Sequence, residues 1–258
     1  MDLGIKGLRV MISAGAQGIG LAIARAFARE GAVVSICDVN QAAIDALKES
    51  DPAIHALVCD VADRAQVKQW FDLALVHLGG LDCLINNAGI AGPTGKVDEI
   101  DPEEWDRCLA VDLTGQFNCT RLAVGALRDS SNASILNVSS LAGRLGFALR
   151  TPYAAAKWGV IGFMKSLAIE LGGDGIRVNG LLPGVVSGER QHRVLSAKAQ
   201  AKGVTFAEIE KSAFAATSIK QYVSPEQLAD YAVFLASPRA STISGQALSV
   251  CGDTNMLS

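Results

Sequence analysis

Val10-Met11-Ile12-Ser13-Ala14-Gly15-Ala16-Gln17-Gly18-Ile19-Gly20 is a short apolar run that passes into a glycine-rich turn. Val10 to Ile12 do not alternate with polar residues, which reads as a strand buried on both faces. From Ile19 to Glu30 the apolar residues recur at helical spacing. Glycines let the backbone approach a pyrophosphate, and a helix N-terminus favours its negative charge. A tight strand–helix turn needs glycine on its own account too, so this stretch has to be read with its surroundings.

The surroundings repeat the alternation. Strand-like runs stand at 33–36, 54–58, 83–85, 135–138, 178–182 and 247–250. Helix-like stretches stand at 41–49, 64–78, 102–128, 152–171 and 225–235. This order predicts an α/β fold, a doubly wound parallel sheet (Rossmann fold) of about seven strands with helices on both faces. One domain is expected over 1–258. The stretch at about 184–224 breaks the rhythm: it holds no convincing strand and two helical pieces, 195–201 and 206–214. Long excursions of this kind are often lids or binding loops; subunit packing is the other use.

Half of the 258 residues are hydrophobic, and the net charge is −3 with no basic block. A well-buried core is expected, and a nucleic-acid surface is not. The six cysteines are scattered without a Cys-x-x-Cys pair, and only three histidines accompany them. Neither a metal site nor a disulfide framework is expected. The N-terminus lacks a signal pattern, and no apolar run reaches the ~18 to 20 residues of a membrane span. The expectation is a soluble cytoplasmic protein with no membrane partner.

Asp38 ends the second strand, eighteen residues after Gly20. A carboxylate there accepts the ribose hydroxyls of NAD and repels a 2′-phosphate, so NAD is expected over NADP. The same Asp also suits a turn or cap before the next helix. Asp60-Val61 and Asn86-Asn87-Ala88-Gly89 follow the third and fourth strands. These sites fall at the carboxyl ends of parallel strands, where ligands bind. Tyr153-Ala154-Ala155-Ala156-Lys157 sets a phenol and an ammonium one helical turn apart on one face. A nearby positive charge favours phenolate over phenol. The pair therefore reads as a general acid/base, with Ser140, thirteen residues upstream, as a candidate partner for the substrate oxygen.

Taken in order, the motifs resemble those of the short-chain dehydrogenase/reductase family, in its single-domain NAD-dependent branch. They are Gly15-x-x-Gly18-Ile19-Gly20, Asp60-Val61, Asn86-Asn87-Ala88-Gly89, Asn137-Val138-Ser139-Ser140, Tyr153-x-x-x-Lys157 and Pro183-Gly184. The resemblance covers essentially the whole chain. It implies oxidation of a secondary alcohol, or reduction of the ketone, with NAD as cofactor. It makes Tyr153 the acid/base and Ser140 the serine that hydrogen-bonds the reacting oxygen. Lys157 becomes the lysine that acts on the phenol and holds the nicotinamide ribose. The cofactor-lining positions it implies are Ser13, Gly15, Gln17, Gly18, Ile19, Gly20, Asp38, Asp60, Val61, Asn86, Asn87, Ala88, Gly89, Pro183, Gly184 and Val186, together with Tyr153 and Lys157.

Three positions depart from the family pattern. Ser13-Ala14 stands where Thr-Gly is usual. Ala14 lacks glycine's freedom at positive φ, and Gly15 is expected to absorb the strain. Asp112 stands where the family carries an Asn that holds a water near the lysine, which makes it a further catalytic candidate and a candidate ion-pair partner of Lys157. The usual Thr after Pro-Gly is missing, and Ser187 offers a hydroxyl nearby.

The substrate is less legible. Arg144, Arg150, Arg190, His192 and Arg193 flank the predicted pocket. Cations there could hold a carboxylate, sulfonate or phosphate, although solvated arginines paired with nearby acids give the same pattern. A small polar alcohol or ketone is expected: a sugar, sugar acid, polyol or hydroxy acid. A 3-oxoacyl thioester reductase is the alternative, and Asp38 counts against it. An NAD-binding regulatory or scaffolding protein is the alternative of another class. The family also implies a homotetramer, packed through helices at 103–128 and 152–171.

Overall fold

Each apolar run of the sequence becomes a parallel strand in the computed structural model, which describes residues 2–254. The strands are β1 (Arg9–Ser13), β2 (Val33–Asp38), β3 (His55–Val58), β4 (Cys83–Asn86), β5 (Ser134–Val138), β6 (Arg177–Pro183) and β7 (Ala247–Val250). Among the described residues they form one sheet in the order β3-β2-β1-β4-β5-β6-β7. The helices between them are α1 (Gly18–Arg29), α2 (Gln41–Ser50), α3 (Arg64–Leu78), α4 (Pro102–Leu109), α5 (Gly115–Arg128), α6 (Thr151–Leu171), α7 (Glu189–Lys202), α8 (Phe206–Ala215) and α9 (Pro225–Ala236).

Alternating side chains feed two apolar layers. Val10, Ile12, Ile36 and Ile85 pack with Ile23 and Phe27 of α1 and Leu235 of α9. Met11, Leu84 and Ile135 pack with Trp70 of α3, Leu127 of α5 and Met164 of α6. Burial on both sides is why these strands show no polar alternation in the sequence. The strand order reverses between β1 and β4, and the crevice at such a reversal opens at the carboxyl ends of the strands. At the opposite end of the sheet, Asp82 ties β1 to β4. It accepts from the Arg9 backbone and guanidinium and from the Ser130 hydroxyl.

Helix starts follow local chemistry. Asp63 and Asp101 cap α3 and α4 through their carboxylates. Thr205 with Glu208, and Ser224 with Gln227, form reciprocal capping boxes on α8 and α9.

Two elements differ from the sequence reading. The stretch 102–128 is not one regular helix: a π-helical turn, Ala110–Thr114, separates α4 from α5. The wider turn carries Asp112, whose carboxylate leaves the helix to accept from the Ile90 N–H at 2.6 Å. In the 184–224 stretch, α7 begins at Glu189, six residues before the expected helical piece. Its first turn is polar and shows no apolar face, so periodicity does not reveal it. Helices α7 and α8 share a small apolar cluster of Leu195, Ala199 and Ile209 with Phe206 and Ala213.

Candidate active site

The ends of β1, β2, β4, β5 and β6 surround a cavity of about 640 Å³. The start of α1 forms one wall. Gln17 precedes α1 in extended conformation and makes no side-chain cap, so the first N–H groups of the helix lie at the cavity beside Gly18, Ile19 and Gly20. Gly18 has φ 54°, and a Cβ there would meet no protein atom within 4 Å, so it would stand in the open space itself. Gly20 is required for a different reason. A Cβ on it would lie 2.1 Å from the Ala14 carbonyl oxygen and 2.5 Å from Asn87 Nδ2.

The departure at Ala14 resolves differently from expectation. Ala14 itself takes the left-handed conformation, φ 52°, and Gly15 does not absorb the strain. The Ala14 carbonyl and the Ser13 carbonyl are both held by Asn87 Nδ2, at 3.0 and 3.1 Å. Ser13 Oγ accepts from the Asn87 and Ala88 N–H groups, both at 3.0 Å. This lattice clamps the turn to the end of β4 and fixes Ala14 where only the surrounding bonds can hold it.

Asp38 faces the cavity from the end of β2 while bracing the turn. Its carboxylate accepts from the Ala16 N–H at 3.2 Å and the Asn40 N–H at 3.0 Å. It therefore also serves as the turn-forming Asp that the sequence allowed. Asp60 accepts from Ala62 N–H and pairs with Arg107 at 2.7 Å.

Across the cavity stand Ser140, Tyr153 and Lys157. Tyr153 lies in the first turn of α6, where Pro152 is tolerated because its missing N–H has no helical partner to lose. Lys157 follows one turn later, with Nζ 5.5 Å from the centre of the Tyr153 ring. The ammonium is almost fully buried, 3.2 Å from both Asp112 Oδ2 and the Val138 carbonyl oxygen. Its contact with Asp112 is ionic, since Oδ2 has no aligned hydrogen-bond donor. Ser140 accepts from the Ala142 N–H and caps a short 3-10 turn, Leu141–Gly143. Ser139, by contrast, is buried and donates to the Lys157 carbonyl at 2.8 Å, a structural role.

Residues 13–253 match the family model described as Enoyl-(Acyl carrier protein) reductase. A putative ketoacyl reductase of the monensin polyketide synthase from Streptomyces virginiae is 37% identical, over 95% of this chain and 96% of its own length. The chain belongs to the short-chain dehydrogenase/reductase family. Within that family, the D-threitol dehydrogenase of Mycolicibacterium smegmatis is 32% identical over 97% of this chain and 94% of its own. The actinorhodin polyketide ketoreductase, solved with NADPH, superposes with a TM-score of 0.89 at 31% identity, covering 95% of this chain and 96% of that one. A family member of this kind is an oxidoreductase acting on alcohol or ketone groups and binding a nicotinamide dinucleotide.

Not every residue expected at the site reaches the cavity wall. Gln17, Gly18, Ile19, Gly20, Asp38, Asp60, Val61, Asn87, Ala88, Gly89, Pro183, Gly184 and Val186 line it. Ser13, Gly15 and Asn86 stand behind it. Asn86 is fully buried and donates to Thr120 Oγ1 and Asn137 Oδ1. It points away because neighbouring strand residues face opposite sides of the sheet. Asp112 also lies behind the wall, in contact with Lys157.

The five cations divide. Arg190 and Arg193 line the cavity. Arg144 is turned to β7, where it donates to the Ala247 carbonyl. His192 stacks on Phe206 with ring centres 4.7 Å apart. Arg150 is buried over the Tyr153 ring, 4.6 Å from its centre. Arg107, which lines the cavity from α4, was not foreseen. It lies 47 residues from Asp60, and no local motif joins them.

Proposed function

We propose that this chain is an NAD-dependent dehydrogenase/reductase that interconverts a small polar secondary alcohol and its ketone. The observation that carries the reading is that Ser140, Tyr153 and Lys157 share one cavity with the glycine turn and Asp38. The residues fit a dinucleotide. The start of α1 offers N–H groups to a pyrophosphate, and Gly18 leaves free the space that a side chain would fill. Asp38 favours NAD, because a 2′-phosphate near it would meet a like charge. A bound nicotinamide would supply the two-electron hydride chemistry.

The chain's own residues handle the proton and the oxygen. Tyr153 takes the hydroxyl proton in oxidation and returns it in reduction. Ser140 donates to the same oxygen and stabilises the negative charge that develops there. Lys157 holds the cofactor ribose and acts on the Tyr153 hydroxyl from the next turn. Its field there is weaker than that of a lone ammonium, because Asp112 stands 3.2 Å away. The stretch 184–224 serves as the substrate lid of a single domain, supported by Val186, Arg190 and Arg193 on the cavity wall.

A homotetramer is supported by Phe117, Trp158 and Ile169, exposed apolar residues on α5 and α6; a monomer mass by light scattering would count against it. A cytoplasmic setting suits six thiols that all stay free. The D-threitol dehydrogenase relative supports a polyol-like substrate, and the ketoacyl reductase relative supports a 3-oxoacyl thioester as the second reading.

The test is a screen of purified protein with NAD and NADP against alcohols, hydroxy acids and an acetoacetyl thioester. NAD-linked oxidation of an alcohol is expected. Faster NADPH-linked thioester reduction would move the assignment to the second reading. Tyr153→Phe is expected to lower kcat by about 10²- to 10⁴-fold with the fold intact. Full turnover in that variant would remove Tyr153 from the mechanism.

A further inference from the structure

We infer that Arg150, Arg190 and Lys198 anchor an acidic group of the substrate, so that the alcohol oxidised is an anion such as a hydroxy acid or hydroxysulfonate. The inference deepens the dehydrogenase reading above and rests on it.

Arg150 stands on the Tyr153 ring, and Arg190 and Lys198, both on α7, lie within electrostatic reach of it. Arg150, 4% exposed, has its guanidinium carbon over the Tyr153 ring. Its Nη2 donates to the Ala91 carbonyl at 2.6 Å, while its Nε is buried without an acceptor. Arg190, in the first turn of α7, donates one N–H to the Gly89 carbonyl at 2.9 Å and lines the cavity. Lys198, two turns further along α7, lies with Nζ 4.8 Å over the Phe147 ring.

Arg190 acts on Arg150, and Arg150 on Lys198, as like charges. The other groups facing Arg150 are Tyr153 from α6, Cys108 from α4 and Asp112 from the π turn, and Asp112 is taken by Lys157. Lys198 faces Arg150 and Lys202. Glu189, the acid nearest in sequence, pairs with Arg193 at 3.7 Å. None of the three cations has an ion-pair partner among the described residues. Gathering unpaired cations in partly buried space is unfavourable unless an anion completes the set.

Two further features belong to the same place. Leu149, directly before Arg150, is held at φ 65°, and strain of this kind in a bulky residue collects at ligand sites. Burial and the neighbouring cations push the Lys198 ammonium down to about 8. An anion beside it would favour the charged form. Affinity for an acid should therefore be full below a pH of about 8 and fall as pH rises through it.

The experiment pairs short hydroxy acids and hydroxyalkylsulfonates with their uncharged amides, and adds calorimetric titration of butyrate and propanesulfonate into protein saturated with NAD. The acids are expected to be preferred over their amides by about tenfold or more in kcat/KM. Lys198→Met and Arg190→Gln, both at partly or fully exposed positions, are expected to shrink that preference and to weaken butyrate or propanesulfonate binding by about tenfold. In Lys198→Met the rise of acid KM above pH 8 should also vanish. Whichever of carboxylate or sulfonate binds more tightly names the acid class. Equal use of acid and amide by the parent, or variants with unchanged acid preference, would overturn the anchor and leave the dehydrogenase standing. Tight binding of butyrate or propanesulfonate with no turnover of any alcohol would do the reverse.

Discussion

Removing the Asp112 carboxylate should destabilise the fold more than almost any other single change near the cavity. Asp112 Oδ2 and Lys157 Nζ are 3.2 Å apart, with side chains 0% and 3% exposed. At an effective dielectric of about 20, unit charges at that distance attract by about 5 kcal/mol, part of which offsets desolvation. Asp112→Ala leaves the ammonium with the Val138 carbonyl alone and strips the acceptor from the Ile90 N–H. Breaking one side of such a buried pair costs about 3–5 kcal/mol. For a chain of this size that corresponds to a fall in Tm of roughly 6–20 °C. Asp112→Asn keeps an acceptor for Ile90 and should lose less, about 1–3 kcal/mol. The double variant Asp112→Leu with Lys157→Met removes both charges and should be more stable than either single change to an apolar residue. Urea melts of the parent, these variants and the two singles Asp112→Leu and Lys157→Met at one pH decide the matter. A loss in Asp112→Ala below about 0.5 kcal/mol, within the range of an ordinary surface change, would refute the ion-pair argument. A double variant no better than its parents would do the same.

Three further outcomes follow from the geometry. Ala14→Gly relieves a left-handed alanine and should raise stability by about 1 kcal/mol in urea melts, since glycine adopts φ 52° without a Cβ clash. Gly20→Ala forces the turn away from the Ala14 carbonyl and should weaken NAD binding by about tenfold, measured by quenching of protein fluorescence. An unchanged Kd would show that the turn has slack. Burial alone would raise the Asp82 carboxyl, but its bonds from Arg9 and Ser130 outweigh it and hold it below the usual carboxylate range. Its stabilisation is therefore present above the unfolded value of about 3.9 and lost as pH falls through the lower folded value. Asp82→Asn should be destabilising at pH 7, and the gap to the parent should close in melts on acidification below about pH 4.

The sheet was legible because burial on both faces leaves a plain mark: Val10 to Ile12 and Cys83 to Ile85 carry apolar side chains to both layers. The motif positions at the strand ends were legible for the same reason, since the strands set where the cavity must open. What the sequence hides is direction. Asn86 and Asn87 look equivalent on the page, yet Asn86 pairs in register with Asn137 inside the sheet while Asn87 reaches the cavity. The arginines are hidden in the same way. Arg144 and Arg150 are six residues apart, but one is drawn to the β7 edge and the other lies on Tyr153. The π turn escaped because one extra residue in a winding leaves the apolar spacing of 102–128 almost unchanged. Asp112 stood out only as a departure from a family pattern, and its contact with Lys157 gives that departure a physical content.

Helices α7 and α8 hold together through Leu195, Ala199 and Ile209, none of which belongs to either large layer of the sheet. A graft that replaced 189–215 would change Arg190 and Arg193 on the cavity wall but none of the glycine turn, Asp38, Ser140, Tyr153 or Lys157. Descendants of this gene could trade one alcohol for another by redrafting a single hairpin of helices while inheriting the chemistry unchanged.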